Sequence, residues 1–481
     1  MRTHRGIRRL LVIGATLIAA AAVAAAPVAA ASGSAGSAVR AHAVSHDVKH
    51  VSAGKPKDAV FGCQLPGTEG VDIFCYSPQQ MRTAYGVDKL INQGFDGHGR
   101  TIVIIDAFQN PSMLDDLATF DAVFGLPDPV FNQVAPFGLT PFDKTDPNMV
   151  GWSGEIALAV EWSHAIAPGA KILLVLAKSN DDADILKATK WAVDHNVGDV
   201  ISQSFGESED CVDPAINTAQ HKVFQDAVRK GITLFASAGD EGSAEPSCDG
   251  NGWVKDASSP ANDPLVTGVG GTELFAMTDQ VCFDASDNVV PCPPQHPAPG
   301  AYDHEVVWDE LDQDPVVGPL GGDLAGGGGF SDKFRRPAFQ DGINGIPRNL
   351  RGVPDVSYSG SINHGVLAAW DVTGDGGFFI FGGTSAGSPQ WAGLVAIGDQ
   401  MGHHRLGNIN PDLYSLGDSP FFSNALYHDI SVGQNGVMEF NADNSVVNIP
   451  GFKAKRGWDA ASGLGSPKAN RLIPALVALS H

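Results

Sequence analysis

The chain has 481 residues, 43% of them hydrophobic and 18% charged, with 57 Gly and 31 Pro. This excludes a disordered chain and, lacking a regular glycine period, collagen; it suits a loop-rich globular protein with a sizeable core. Asp and Glu outnumber Lys and Arg by 54 to 31, a net charge of −23, and such a field repels phosphate backbones, so nucleic acid is not an expected partner.

Arg2, Arg5, Arg8 and Arg9 open the chain, and an Ala-rich apolar run follows from residue 10 to about 28. Ala29, Ala30 and Ala31 then offer a small-residue cleavage site. A run of this length approaches what spans a bilayer, but Ala dominates it and Pro27 interrupts its end. A cleaved signal peptide over 1–31 is therefore expected, with secretion to the extracellular space and no stable membrane anchor. Cleavage removes four Arg and no acid, which moves the net charge from −23 to −27. Residues 32–60, rich in Ala, Ser, Gly, Val and His, read as a flexible N-terminal arm or short prosegment. All six cysteines lie beyond them. An even number in an exported chain, without a CxxC-like pair, argues for structural disulfides rather than zinc. Fifteen pairings are possible; the short loops favour Cys63–Cys75 and Cys282–Cys292, leaving Cys211–Cys248.

Short aliphatic or β-branched runs at 101–105, 171–177, 200–204 and 232–236 suit buried parallel strands. Helical patterns at 152–164, 182–195 and 214–230 alternate with them. That alternation predicts an α/β fold, a doubly wound, mostly parallel sheet flanked by helices. The Gly/Pro-rich stretch 275–335 reads as long surface loops. An apolar strand at 377–381 leads through a Gly-Gly-Thr-Ser turn into a helix from about 385 to 401.

That turn, Gly382-Gly383-Thr384-Ser385-Ala386-Gly387-Ser388-Pro389, is the first place for chemistry. A Ser at a helix N-terminus sits among backbone N–H donors and the positive dipole end, which favour an attacking oxygen and its oxyanion. Ser385 is thus a candidate nucleophile, although by itself such a Ser also reads as a simple N-cap. Gly326 to Gly329 lack the Lys-Ser/Thr of a P-loop, and Asp371-Val-Thr-Gly-Asp-Gly376 lacks EF-hand spacing. Asp106 ends a strand in Val-Ile-Ile-Asp, and His98 in Gly-His-Gly lacks the helical setting of a catalytic base.

From Tyr76-Ser-Pro-Gln-Gln-Met-Arg-Thr-Ala-Tyr85 to Pro467, separated segments in order resemble the sedolisin family, serine-carboxyl peptidases of subtilisin-like fold. Gly154-Glu155-Ile156-Ala157-Leu158 and Ala165-Ile-Ala-Pro-Gly-Ala170 resemble its catalytic-Glu helix. Ser202-Gln-Ser-Phe-Gly206 resembles its substrate-binding strand end. Ala238-Gly-Asp-Glu-Gly242 resembles the segment bearing its oxyanion Asp. The resemblance implies a peptidase domain over 61–481, monomeric, acting on polypeptide substrates. Ser385 would be the nucleophile, Glu155 the base and Asp240 the protonated oxyanion donor, with Ser204 and Gly206 binding substrate. It also implies calcium, held by Asp429, Asp459 and the carbonyls of Ile430, Lys455 and Gly457. A carboxylate base stays partly ionised where a His, with a pKa of about 6.5, is already protonated, so the expected activity is acidic.

One position departs from the family. Its second acid follows the catalytic Glu by four residues, one helical turn on the same face, and here that position is Ala159. Glu161 lies well round the helix and cannot replace it; Asp106 could approach from its strand end. A weakened or silent peptidase-fold protein that binds peptides or an exported partner is the alternative expectation.

Overall fold

The structure, a computed structural model, describes residues 42–43, 49–51, 61–64, 74–278, 282–283, 289–290, 297–310, 323–372, 374, 376–418 and 423–480. The aliphatic runs form the strands of one sheet: Thr101–Ala107 (β1), Val130–Val134 (β2), Lys171–Ala177 (β3), Val200–Gln203 (β4), Thr233–Ser237 (β5), Thr267–Ala276 (β6), Tyr302–Val307 (β7) and Val356–Ser359 (β8). Their order is β7-β6-β5-β4-β1-β3-β2, with β8 also pairing β6. Every pair is parallel except β6–β7. The expected doubly wound α/β sheet is therefore present.

Side-chain alternation splits the core into two layers. In β1, Ile102 and Ile104 join one apolar cluster, while Val103, Ile105 and Ala107 join another on the opposite face. The first layer is filled by helices Pro147–Ile166 (α1) and Thr384–Gly402 (α4). The second is filled by Asp182–His195 (α2) and Pro214–Arg229 (α3). Helix α1 starts at Asp146, whose side chain accepts the Asn148 N–H, with Pro at the first helical position. It is buried from Trp152 to Ile166, since apolar neighbours surround it on all sides.

Two details differ from the sequence reading. The stretch 275–335 contains β7, the antiparallel edge strand, whose Glu305 and Val307 point inward amid Gly- and Pro-rich surroundings that mask so short a pattern. The strand Gly377–Phe381 is buried but lies outside the main sheet, antiparallel to His364–Trp370. Disulfides join Cys63–Cys75 and Cys211–Cys248. The signal peptide and the Cys282–Cys292 pairing lie outside the described residues. Two pieces of the 32–60 arm are strands: His42–Ala43 pairs with Phe205 and Gly206, and Lys49–Val51 pairs with Gly377–Phe381. No helix among the described residues is long and apolar enough to cross a membrane.

Candidate active site

Ser385 occupies the first turn of α4, after Gly383 at φ 90°, a conformation that glycine adopts without strain. The Gly383 N–H donates to the Gly360 carbonyl at 2.6 Å, which pins the turn. Four residues on, Pro389 has no N–H to give the Ser385 carbonyl. The Ser204 hydroxyl donates to that carbonyl at 3.4 Å instead. Ser202 and Ser388 add a second tie, hydroxyl to hydroxyl at 2.8 Å. The nucleophile turn is thereby fastened to the end of β4. Ser385 is fully buried, and its hydroxyl has no hydrogen-bond partner among the described residues.

Thr384, beside it, reaches the third expected residue. Its N–H donates to Asp240 Oδ1 at 2.7 Å and its hydroxyl donates to the same oxygen at 2.9 Å. The Gly239 N–H donates back to the Thr384 hydroxyl at 3.2 Å. Asp240 is 1% exposed. The sequence motif included Thr384 without giving it this work; its position directly before Ser385 was the signal available.

Glu155, fully buried on α1, comes from the other side, for α1 and α4 pack against each other. Ala159 and Ala157 sit in the same apolar cluster as Ala386 and Trp391 of α4. Asp106 is also fully buried, and burial and then the Glu155 charge push its carboxyl well above the usual carboxylate range. Glu161 faces elsewhere, accepting the Ala369 N–H at 2.9 Å. Glu207, pushed up to about 9 by burial and the Asp182 charge, and Glu245, raised by burial and the Glu241 charge, were not singled out in the sequence. Scattered along the chain, they gave no pattern to find. His98 lies exposed in the turn before β1.

Ser204 and Gly206 flank Phe205 at a three-stranded crossing. Phe205–Ser208 pairs with Ser258–Ser259 on one edge and with His42–Ala43 on the other. A Cβ at Gly206 would meet the Ser258 hydroxyl at 2.1 Å, so a larger residue there would require that hydroxyl to turn away. The expected calcium residues also converge. Asp429 Oδ1 accepts the Gly457 N–H at 2.9 Å, and Asp459 Oδ2 accepts the Lys455 N–H at 2.8 Å. Asp459 Oδ1 accepts from the Ala461 and Ser462 N–H groups at 3.0 and 2.9 Å. Lys455 Nζ turns away and donates to the Asn344 carbonyl at 3.4 Å. Two carboxylates from two separate segments, beside the Ile430, Lys455 and Gly457 carbonyls, are a hard-oxygen donor set that fits calcium. Among the described residues no group of three or more His, Cys, Asp or Glu side chains is arranged for a metal.

A parallel α/β sheet with a serine heading a buried helix, and carboxyl groups gathered near it, defines a subtilisin-like fold with acidic residues in its site. Comparison with known proteins agrees. The subtilase family model matches residues 150–403. Kumamolisin from Bacillus sp. (strain MN-32) is 33% identical over 413 residues, 84% of this chain and 64% of kumamolisin. Sedolisin from Pseudomonas sp. (strain 101) is 29% identical over 378 residues, 76% of this chain and 56% of sedolisin. The structure of Pseudomonas sedolisin, a serine-carboxyl proteinase complexed with two molecules of pseudo-iodotyrostatin, superposes with a TM-score of 0.65 at 25% identity, covering 85% of this chain and 100% of that one. The chain belongs to the subtilase family, in its sedolisin branch of serine peptidases. It spans about half to two thirds of the length of the curated relatives it matches.

Proposed function

We propose that this chain is a secreted, monomeric serine-carboxyl endopeptidase that cleaves polypeptides in acid. The observation that carries the reading is the linkage of Ser385 through Thr384 to Asp240, with the Glu155 helix packed against the nucleophile helix. Ser385 Oγ attacks the scissile carbonyl carbon, and Glu155 takes its proton as the C–O bond forms. One oxygen of Asp240 is held by Thr384; the other, protonated, donates to the oxyanion. Burial and acidic solution both favour that protonated form. Glu155 then returns the proton to the leaving amine, and water releases the acyl group by the reverse sequence.

Substrate would lie antiparallel along Phe205 and Gly206, beside Ser204, as an added strand. His42–Ala43 pairs with that edge now, so the 32–60 arm acts as a short prosegment that substrate must replace. Calcium would be held by Asp429 and Asp459 with the Ile430, Lys455 and Gly457 carbonyls. Its chemistry there would be structural, neutralising two carboxylates and joining the two segments that carry them.

The test is cleavage of an unfolded protein from pH 3 to 8 by the wild type and by Ser385→Ala. Acid cleavage that the substitution abolishes is expected; cleavage that survives it removes the reading. The second reading, a silent peptide binder, is favoured by Ala159, which stands where the resemblance would put the family's second acid. Peptide binding at the Phe205 edge with no Ser385-dependent cleavage at any pH would establish it.

A further inference from the structure

We propose that Asp106 is the second acid of this site, a positioning residue that shares a proton with Glu155 and orients it toward Ser385 in place of the acid that Ala159 lacks. The inference rests on the peptidase reading above and names a residue that reading does not use.

The placement comes from the fold. Asp106 lies two residues beyond Ile104 on β1, so its side chain shares the face of Ile102 and Ile104. Those two belong to the cluster that holds Ala159 and the apolar residues of α1 and α4. Asp106 therefore looks into the layer between the strand and the two helices that carry Glu155 and Ser385. Its neighbours in β1, Ile105 and Ala107, point the other way. The register of β1 with β4 pairs Ile105 with Gln203, which brings Asp106 to the level of Ser204, the residue bonded to the Ser385 carbonyl.

Chemistry then assigns the role. Asp106 is 0% exposed, and neither of its oxygens has a hydrogen-bond partner among the described residues. A buried carboxylate in that condition is too costly to keep ionised. The charge that faces it is Glu155, and two carboxyls so placed hold at least one proton between them. A protonated Asp106 can donate to the Glu155 carboxylate, leaving the other Glu155 oxygen for the Ser385 proton. Ala159, fully buried one helical turn from Glu155, offers no competing group.

Three variants test this: Asp106→Ala, Asp106→Asn and the double variant Asp106→Ala/Ala159→Asp. Asp106→Ala should lower kcat by about 10² to 10⁴ with little change in KM, by analogy with loss of an orienting acid elsewhere. Asp106→Asn keeps a donor but removes the shared proton, so the acid limb of the pH–rate profile should move to lower pH. The double variant should regain at least about tenfold over Asp106→Ala. Unchanged kcat and an unmoved limb, with cleavage still abolished by Ser385→Ala, would overturn the inference and leave the peptidase reading intact. If no Ser385-dependent cleavage exists, the peptidase reading fails by itself, and thermal unfolding decides the proton sharing. Asp106→Asn should then raise Tm more at pH 7 than at pH 4; an equal effect at both overturns the pair.

Discussion

Asp355 and Asp106 are both 0% exposed, yet the fold treats them in opposite ways. Asp355 meets the Arg351 guanidinium at 2.6 Å and accepts from the Gly268 N–H at 2.8 Å and the Tyr414 hydroxyl at 2.9 Å. Both of its oxygens accept hydrogen bonds, one of them from a guanidinium. Asp106 has no such donors and faces another carboxyl. The same side chain thus serves as a structural tie where donors saturate it. It becomes a proton holder where they are withheld, which is the environment acid–base chemistry needs.

The largest expected effect breaks the structural member. Asp355→Ala leaves the Arg351 guanidinium buried and uncompensated, which should cost about 3–5 kcal/mol of stability in urea unfolding. Asp106→Ala should cost far less, since it leaves no buried cation without its countercharge. Equal losses at the two positions would erase the contrast.

A second, smaller effect concerns pH. Glu207 is pushed up to about 9, Glu310 to about 7 and Asp116 and Asp309 to about 6, in each case mainly by burial. Raised acids lend stability that is fully present below the unfolded carboxylate range near 4 and is lost as pH rises through the folded values. Thermal unfolding should therefore show Tm highest near pH 4 and falling toward pH 8. A Tm that climbs toward neutral pH would contradict these assignments. The smallest effect concerns the Asp429 and Asp459 carboxylates. Chelating calcium should lower Tm by a few degrees, consistent with loss of a ligand bound only by the folded state; Asp429→Asn should abolish that sensitivity.

Much of this was legible in the chain. The short continuous aliphatic runs announced the parallel strands because burial on both faces leaves little polar alternation to interrupt them. The Gly383-Thr384-Ser385 turn was legible because positive φ at Gly383 and the helix start constrain local residue types. Edge strand β7 was hidden by its Gly- and Pro-rich surroundings. The partnership of Asp106 with Glu155 joins residues 49 positions apart, through packing of α1 on β1 that no local pattern encodes. The pairing of His42–Ala43 with Phe205 and Gly206 likewise has no local signal, since two residues of an Ala/Ser-rich arm carry no strand period.

The central claim is that carboxyl groups, without an imidazole, run serine chemistry here. The most direct measurement is the pH dependence of kcat/KM for Ser385-dependent peptide cleavage. The account predicts a maximum in acid that falls away before neutrality as the oxyanion acid loses its proton. A rate that instead rises through pH 6–7 to a neutral plateau, the profile of a histidine base, would contradict it.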